Sequence, residues 1–109
     1  MICEQGAIIE VSFDPTVGHE PQKRRPAVVV STDGCNRMSS LTFVAPITST
    51  DNGYPLHVRI TSNVDVQGCI CVEQTRSIDL SARPCEIVGR LNEDDMAEVM
   101  ACLGAIFGI

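Results

Sequence analysis

Tyr54-Pro55-Leu56-His57-Val58-Arg59-Ile60-Thr61 sets a large apolar residue at every second position, with Pro, His, Arg and Thr between them. Successive side chains of a strand point to opposite faces, so this alternation predicts a half-buried strand. Tyr54, Leu56, Val58 and Ile60 are expected on the dry face, and His57 and Arg59 on the wet one. Working outward, further runs rich in Val, Ile and Thr lie at 41–48 and 27–31 on one side and at 68–72 and 86–89 on the other, with another at 7–13. The turn-formers Asp14-Pro15-Thr16-Val17-Gly18, Asp33-Gly34, Asp51-Asn52-Gly53 and Asn63 to Asp65 separate these runs. After Asn92, a residue type that caps helices, the period changes: Met96, Val99, Met100, Leu103, Ile106 and Phe107 fall on one helical face. The acids Glu93, Asp94 and Asp95 stand where the positive end of the helix dipole favours them. The expectation is an α+β chain, mostly β: a small barrel with a C-terminal helix packed on it.

A length of 109 residues suits one domain, 1–109, and leaves no room for two of ordinary size. With 44% hydrophobic and 20% charged residues the composition is globular. No apolar run approaches the roughly 20 residues of a membrane-spanning helix, and the start lacks a basic segment followed by an apolar one, so a cytoplasmic protein with no membrane partner is expected. Six cysteines (Cys3, Cys35, Cys69, Cys71, Cys85, Cys102) are then read as reduced core thiols. The only close pair, Cys69 and Cys71, has no second pair nearby in sequence, so neither a metal nor another cofactor is expected.

The net charge of -6 argues weakly against a nucleic-acid partner. Its distribution matters more. From residue 84 onward five acids face Arg90 alone, whereas Lys23, Arg24 and Arg25 form the one basic run, with Arg37 farther along. A local anion site is compatible with an acidic whole.

Three motifs are set on this framework in order. They are FDPTVGHE (13–20) running into RRPAVVVS (24–31), NR (36–37) followed by VAPITS (44–49), and EQTRSIDLSAR (73–83). Together, and with EIVGRL (86–91) leading into the final helix, they resemble the MazF/PemK toxins over nearly the whole chain. The resemblance implies the SH3-like barrel of the MazF, Kid and CcdB toxins, a homodimer, metal-independent cleavage of single-stranded RNA at short sequences, and a MazE-like antitoxin. Carried over by position, the arginine before proline is Arg25 and the threonine of the P-x-T-S turn is Thr48, both with catalytic roles. The first-loop acid is Glu20, with His19 beside it, and the acid before Gln in the third motif is Glu73. Lys23, Arg24, Glu73 and Gln74 are the expected substrate-binding residues. Pro21, Gln22 and Lys23 depart from the glycines that relatives often carry there, and Pro21 stiffens the loop. The departure bears on which RNA sequence is recognised.

Metal-free RNA cleavage needs a base for the 2′-OH proton, cationic donors for charge developing at phosphorus, and an acid for the departing 5′ oxygen. Arg25 suits the second role, because guanidinium presents a planar fork to phosphate oxygens. Thr48 supplies a hydroxyl donor. The base is left open among His19, Glu20 and Arg25, although arginine, with a pKa above ~12, needs severe perturbation to serve. His57 is expected to have no catalytic duty, and Arg76 and Asp79 to form a structural ion pair or to shape the dimer. The few aromatics leave recognition mostly to polar loop groups. The alternative is a CcdB-like gyrase poison with no nuclease activity, suggested by the ending Phe107-Gly108-Ile109. A third possibility is an inactive scaffold, against which Arg25 and Thr48 stand together.

Overall fold

A computed structural model describes residues 3–13, 24–50, 53–62, 64–83 and 85–109. Seven strands form one antiparallel sheet: β1 (Ala7–Ser12), β2 (Arg24–Val29), β3 (Thr42–Thr48), β4 (His57–Arg59), β5 (Cys69–Cys71), β6 (Arg76–Ile78) and β7 (Cys85–Arg90). Their spatial order is β4-β5-β3-β2-β1-β7, with β6 also on β3. One edge of β3 takes β2, while the other is shared: Thr42, Phe43 and Val44 pair with β6, and Ile47 and Thr48 with β5. Among the described residues β4 and β7 do not pair, so the sheet is a barrel-like layer with its ladder left open.

Adjacent residues of β1, β2 and β3 enter different cores. Ile9, Val11, Val29 and Val44 join Phe13, Ile78 and Leu80 on one face, whereas Ile8, Val28, Ala45 and Ile47 join Val58, Ile70 and Val72 on the other. A strand covered on both sides has no wet face, which is why these segments read as continuous apolar runs. Full burial of each Val, Ile, Leu or Phe among them contributes about 1.5–3 kcal/mol. The second face is closed by α2 (Glu93–Phe107), whose Val99 is completely buried and whose Met96, Cys102 and Leu103 pack around it. No described helix is long and apolar enough to cross a membrane.

Several local expectations change. Asp33-Gly34 opens a short helix, α1 (Asp33–Met38), because the Thr32 hydroxyl caps it by accepting from the Cys35 N–H at 3.2 Å. Strand β4 is only three residues long, and Tyr54 lies in the turn before it, 47% exposed. The helical stripe is buried only in part: Met100, Ile106 and Phe107 remain exposed, Phe107 at 70%. Arg76 lies over the Phe13 ring at 4.0 Å, while the Asp79 carboxylate accepts from the N–H and hydroxyl of Ser81, so these two residues do not pair with each other. All six cysteines are free thiols; Cys3, Cys69 and Cys71 are buried.

Helix α2 begins at a polar clamp. Asn92 caps it, its side-chain oxygen accepting from the Asp95 N–H at 2.7 Å. The Asp95 carboxylate, only 2% exposed, accepts from the N–H groups of Thr61 and Ser62 at 2.9 and 2.8 Å and from their hydroxyls at 2.6 and 2.5 Å. Burial alone pushes the Asp95 pKa up, but the four hydrogen bonds outweigh it and the net shift is downward. A depressed folded-state pKa means that the stabilisation is complete above the unfolded value, ~3.9, and is lost as pH falls through the folded one. Asp95→Ala should therefore destabilise by about 2–4 kcal/mol at neutral pH, through lost charge-assisted bonds and stranded donors. In urea titrations its deficit relative to the parent should shrink as pH drops below ~4. A deficit independent of pH would show that the carboxylate charge is not what holds the clamp.

Candidate active site

Arg25 is the second residue of β2, set opposite Val11 of β1, and it is exposed. Thr48 ends β3 and pairs with Cys69 at the start of β5. Its hydroxyl oxygen accepts from the Thr50 N–H at 3.2 Å, which leaves the hydroxyl proton free to donate elsewhere. Strand β5 leads directly into a single 3₁₀ turn, Val72–Gln74, carrying Glu73 and Gln74. The Thr75 hydroxyl donates to the Val72 carbonyl at 2.7 Å and fixes that turn. Arg25, Thr48, Ser49, His57, Cys71 and Gln74 line one cavity of about 440 Å³. A neighbouring cavity of about 550 Å³, which includes Arg59 and Gly68, shares Ser49 with it. The larger space is also polar, lined by Arg59, Thr61, Ser62 and Gln67, but it is the smaller that holds the motif residues Arg25 and Thr48.

His57 does not stand on the open wet face expected of it. Alternation correctly sets it opposite in facing to the buried Val58, yet the face it occupies is the cavity wall and not open solvent. Its side chain is 9% exposed, its Nε2 lies 3.1 Å from Glu73 Oε2, and its ring stands against Tyr54 at a centroid distance of 5.1 Å. The antiparallel register that sets His57 directly across from Cys71 creates this position. No signal in either segment alone specifies that pairing. Burial pushes the Cys71 thiol pKa up, and the nearby Glu73 carboxylate and Cys69 add to the rise, so Cys71 is held as the neutral thiol.

The structure thus brings together Arg25, Thr48 and Gln74, with Glu73 reached through His57. Arg24 points elsewhere, as strand alternation requires, and its guanidinium stands 4.0 Å from Glu86 of β7 in an exposed pair. His19, Glu20 and Lys23 lie outside the described residues. A cation, a hydroxyl, an amide and an imidazole–carboxylate pair around one open cavity can hold a phosphodiester and hydrogen-bond to an adjoining polar group.

The family model for PemK-like, MazF-like toxins of type II toxin-antitoxin systems matches residues 4–107. The chain is 37% identical to the endoribonuclease toxin ChpB of Escherichia coli K12, over 94% of this chain and 92% of that protein. It is 35% identical to the Escherichia coli endoribonuclease PemK, over 94% and 80%. Among solved structures, MazF in a MazE–MazF complex from Deinococcus radiodurans superposes with a TM-score of 0.88 at 32% identity, covering 100% of this chain and 98% of that one. The chain belongs to the PemK/MazF toxin family. These matches support the nuclease-toxin resemblance and give none to the gyrase-poison alternative.

Gly68 sets the distance between β5 and Thr48. Its φ is +132°, and a Cβ there would collide with the Thr48 carbonyl. Gly68→Ala should cost about 1–3 kcal/mol from backbone conformation, with the clash in addition. Gly53 also has positive φ, +69°, in the left-handed region, and a Cβ there meets nothing within 4 Å, so Gly53→Ala gives the milder loss expected with no clash. Thermal denaturation of both variants checks the point; equal losses would mean that the approach to Thr48 is not constraining.

Proposed function

We infer that this chain is the toxin of a type II toxin-antitoxin pair and a metal-independent endoribonuclease for single-stranded RNA. The observation that carries the inference is the convergence of Arg25, Thr48 and Gln74 on one cavity in a chain of this family. In the reaction a base removes the 2′-OH proton, the 2′ oxygen attacks the adjacent phosphorus, and the bond to the 5′ oxygen breaks as that oxygen takes up a proton. The products are a 2′,3′-cyclic phosphate and a 5′-hydroxyl.

Arg25 spans two phosphate oxygens and meets the charge developing there, and the Thr48 hydroxyl adds a neutral donor. Base and acid come from the loop before β2, with His19 and Glu20 as the candidates and Arg25 itself as the third choice for the base. Lys23 contacts a flanking phosphate, whereas Arg24 faces Glu86 and stands outside the cavity. Gln74 supplies an amide for a base edge, and Glu73 acts through its bond to His57. The adjoining cavity at Ser49 gives room for neighbouring nucleotides.

The chain acts as one domain, 1–109, in the cytoplasm and as a homodimer. Exposed Phe107, Ile106, Met100 and Ile109 at the end of α2 provide apolar surface for a second copy. A MazE-like antitoxin, bringing an acidic segment over Lys23, Arg24 and Arg25, holds the site closed.

Single-turnover cleavage of a short RNA in EDTA tests the assignment. Arg25→Ala should lose about 100- to 1000-fold in rate, the usual cost of removing an oxyanion-type donor. Arg25→Lys should recover only part of it, since ammonium keeps the charge but not the fork. Thr48→Ala should lose less than Arg25→Ala. An unchanged rate for Arg25→Ala sinks the site, and a requirement for a divalent ion sinks the mechanism. If His19 is the base, His19→Ala should lose the dependence on a group titrating between about pH 5 and 8; an unaltered profile moves the base to Glu20 or Arg25.

A further inference from the structure

The cavity that holds Arg25 and Thr48 has a second set of chemistry on its wall. His57 and Cys71 are cross-strand partners on β4 and β5, so both side chains rise from the same face of the hairpin. Glu73 follows two residues after Cys71, where the strand tightens into the 3₁₀ turn. One ligand-type atom from each of the three residues lies within 4.8 Å of the others. Two more polar atoms of this cluster, His57 Nδ1 and Glu73 Oε1, are buried without a hydrogen-bond partner. A buried imidazole nitrogen and a buried carboxylate oxygen left unpaired, beside a thiol, form an incomplete polar network.

The geometry points to a zinc site formed by His57, Cys71 and Glu73, whose occupancy withdraws His57 and Glu73 from RNA and suppresses cleavage. The donor set selects the ion. One sulfur, one nitrogen and one oxygen suit Zn²⁺ and do not suit Mg²⁺ or Ca²⁺, which take oxygen ligands. With bonds of about 2.0–2.3 Å, ligand atoms around a tetrahedral zinc stand roughly 3.3–3.8 Å apart, so atoms within 4.8 Å of one another need to close by about an ångström or little more. Three protein ligands leave a fourth position, and two of the three, His57 and Cys71, also line the cavity. The ion is an inhibitor and not part of the chemistry, because Arg25 and Thr48 do not belong to the ligand set. The sequence conceals the cluster: spacing suggests Cys69 with Cys71, whereas the fold gives Cys71 the company of His57.

Zinc binding stands apart from the proposed function, while its effect on cleavage rests on it, so two measurements are needed. In the first, full-length protein stripped with EDTA is dialysed against Zn²⁺ and analysed for metal, and Co²⁺ is substituted to read thiolate-to-metal absorption. One equivalent should bind and raise the melting temperature. Cys71→Ser should abolish the cobalt–thiolate band. His57→Ala and Glu73→Gln should weaken binding by more than the ~10- to 100-fold that loss of an outer-shell partner costs. Cys102→Ser, on α2, should bind as the parent does. Glu73 is the most exposed of the three, so Glu73→Gln keeps the test valid if Cys71→Ser fails to fold. Uptake below one equivalent, or uptake unaffected by the ligand substitutions, overturns the site. In the second measurement, RNA cleavage by the parent should fall in proportion to zinc bound and return on chelation. Full zinc occupancy with unchanged cleavage overturns the inhibitory role. A metal-free protein that cleaves no RNA while still binding one zinc would refute the proposed function and leave the site standing.

Discussion

Strand β3 has to satisfy three neighbours with seven residues, and that constraint organises the molecule. On one edge it runs against β2; on the other it pairs first with β6 and then, at Ile47 and Thr48, with β5. The division fixes where Thr48 ends up, since the last residue of β3 must meet the first of β5. It also fixes Arg25, which lies two residues before Ala27, and Ala27 pairs with Pro46 of β3. Two functional groups far apart in sequence are thereby set around one cavity by backbone pairing. Because both faces of the central strands are buried, a slip of one residue would exchange the two cores. The register that brings Arg25 and Thr48 together is therefore held by most of the apolar burial in the chain.

Peripheral pieces are fixed by polar contacts instead. Hairpin β4–β5 has only three residues in each strand, little for a ladder to hold. The Asp95 carboxylate ties its outgoing backbone at Thr61 and Ser62 to the start of α2, and the Asn92 N–H donates to the Ser62 hydroxyl at 2.8 Å. Two of the acids at the start of this helix, Glu93 and Asp94, favour the helix dipole from the surface, whereas Asp95 is consumed internally. This resolves the conflict between an acidic chain and an anionic substrate. The charge balance of the tail describes the helix, which packs on the second core, while the cavity at the ends of β2 and β3 presents Arg25.

How much of this was legible depends on whether the determining interaction is local. The long apolar runs, the Asn92 cap and the change of period at α2 are local, and they identified the central strands and the helix. Motif resemblance alone proposes catalytic roles for Arg25 and Thr48, and the fold sets the two residues on one cavity. Helix α1 was missed because Asp33-Gly34 is also turn chemistry, and the Thr32 cap decided between the two outcomes. Strand β6 escaped because Arg76-Ser77-Ile78 buries only Ile78 and exists through its partner β3. Tyr54 and Phe107 were assigned to dry faces by period, but β4 starts after Tyr54 and the second core stops short of the end of α2. Periodicity says which residues share a face and not how far the opposing surface extends.

His57 shows the same limit at the site itself. Its face was read correctly from the alternation with Val58, and its surroundings were not, since those depend on Cys71 and Glu73 arriving from another strand. A polar face pointing away from the core becomes a functional wall when another element closes over it. What then distinguishes a functional wall from ordinary surface is unpaired polar capacity. Arg24 and Glu86 form an exposed pair open to solvent. His57 and Glu73, by contrast, share one hydrogen bond and each keep a buried atom without a partner. Buried polar atoms normally find partners, and a fold that leaves two of them beside a cavity leaves them available to whatever enters it.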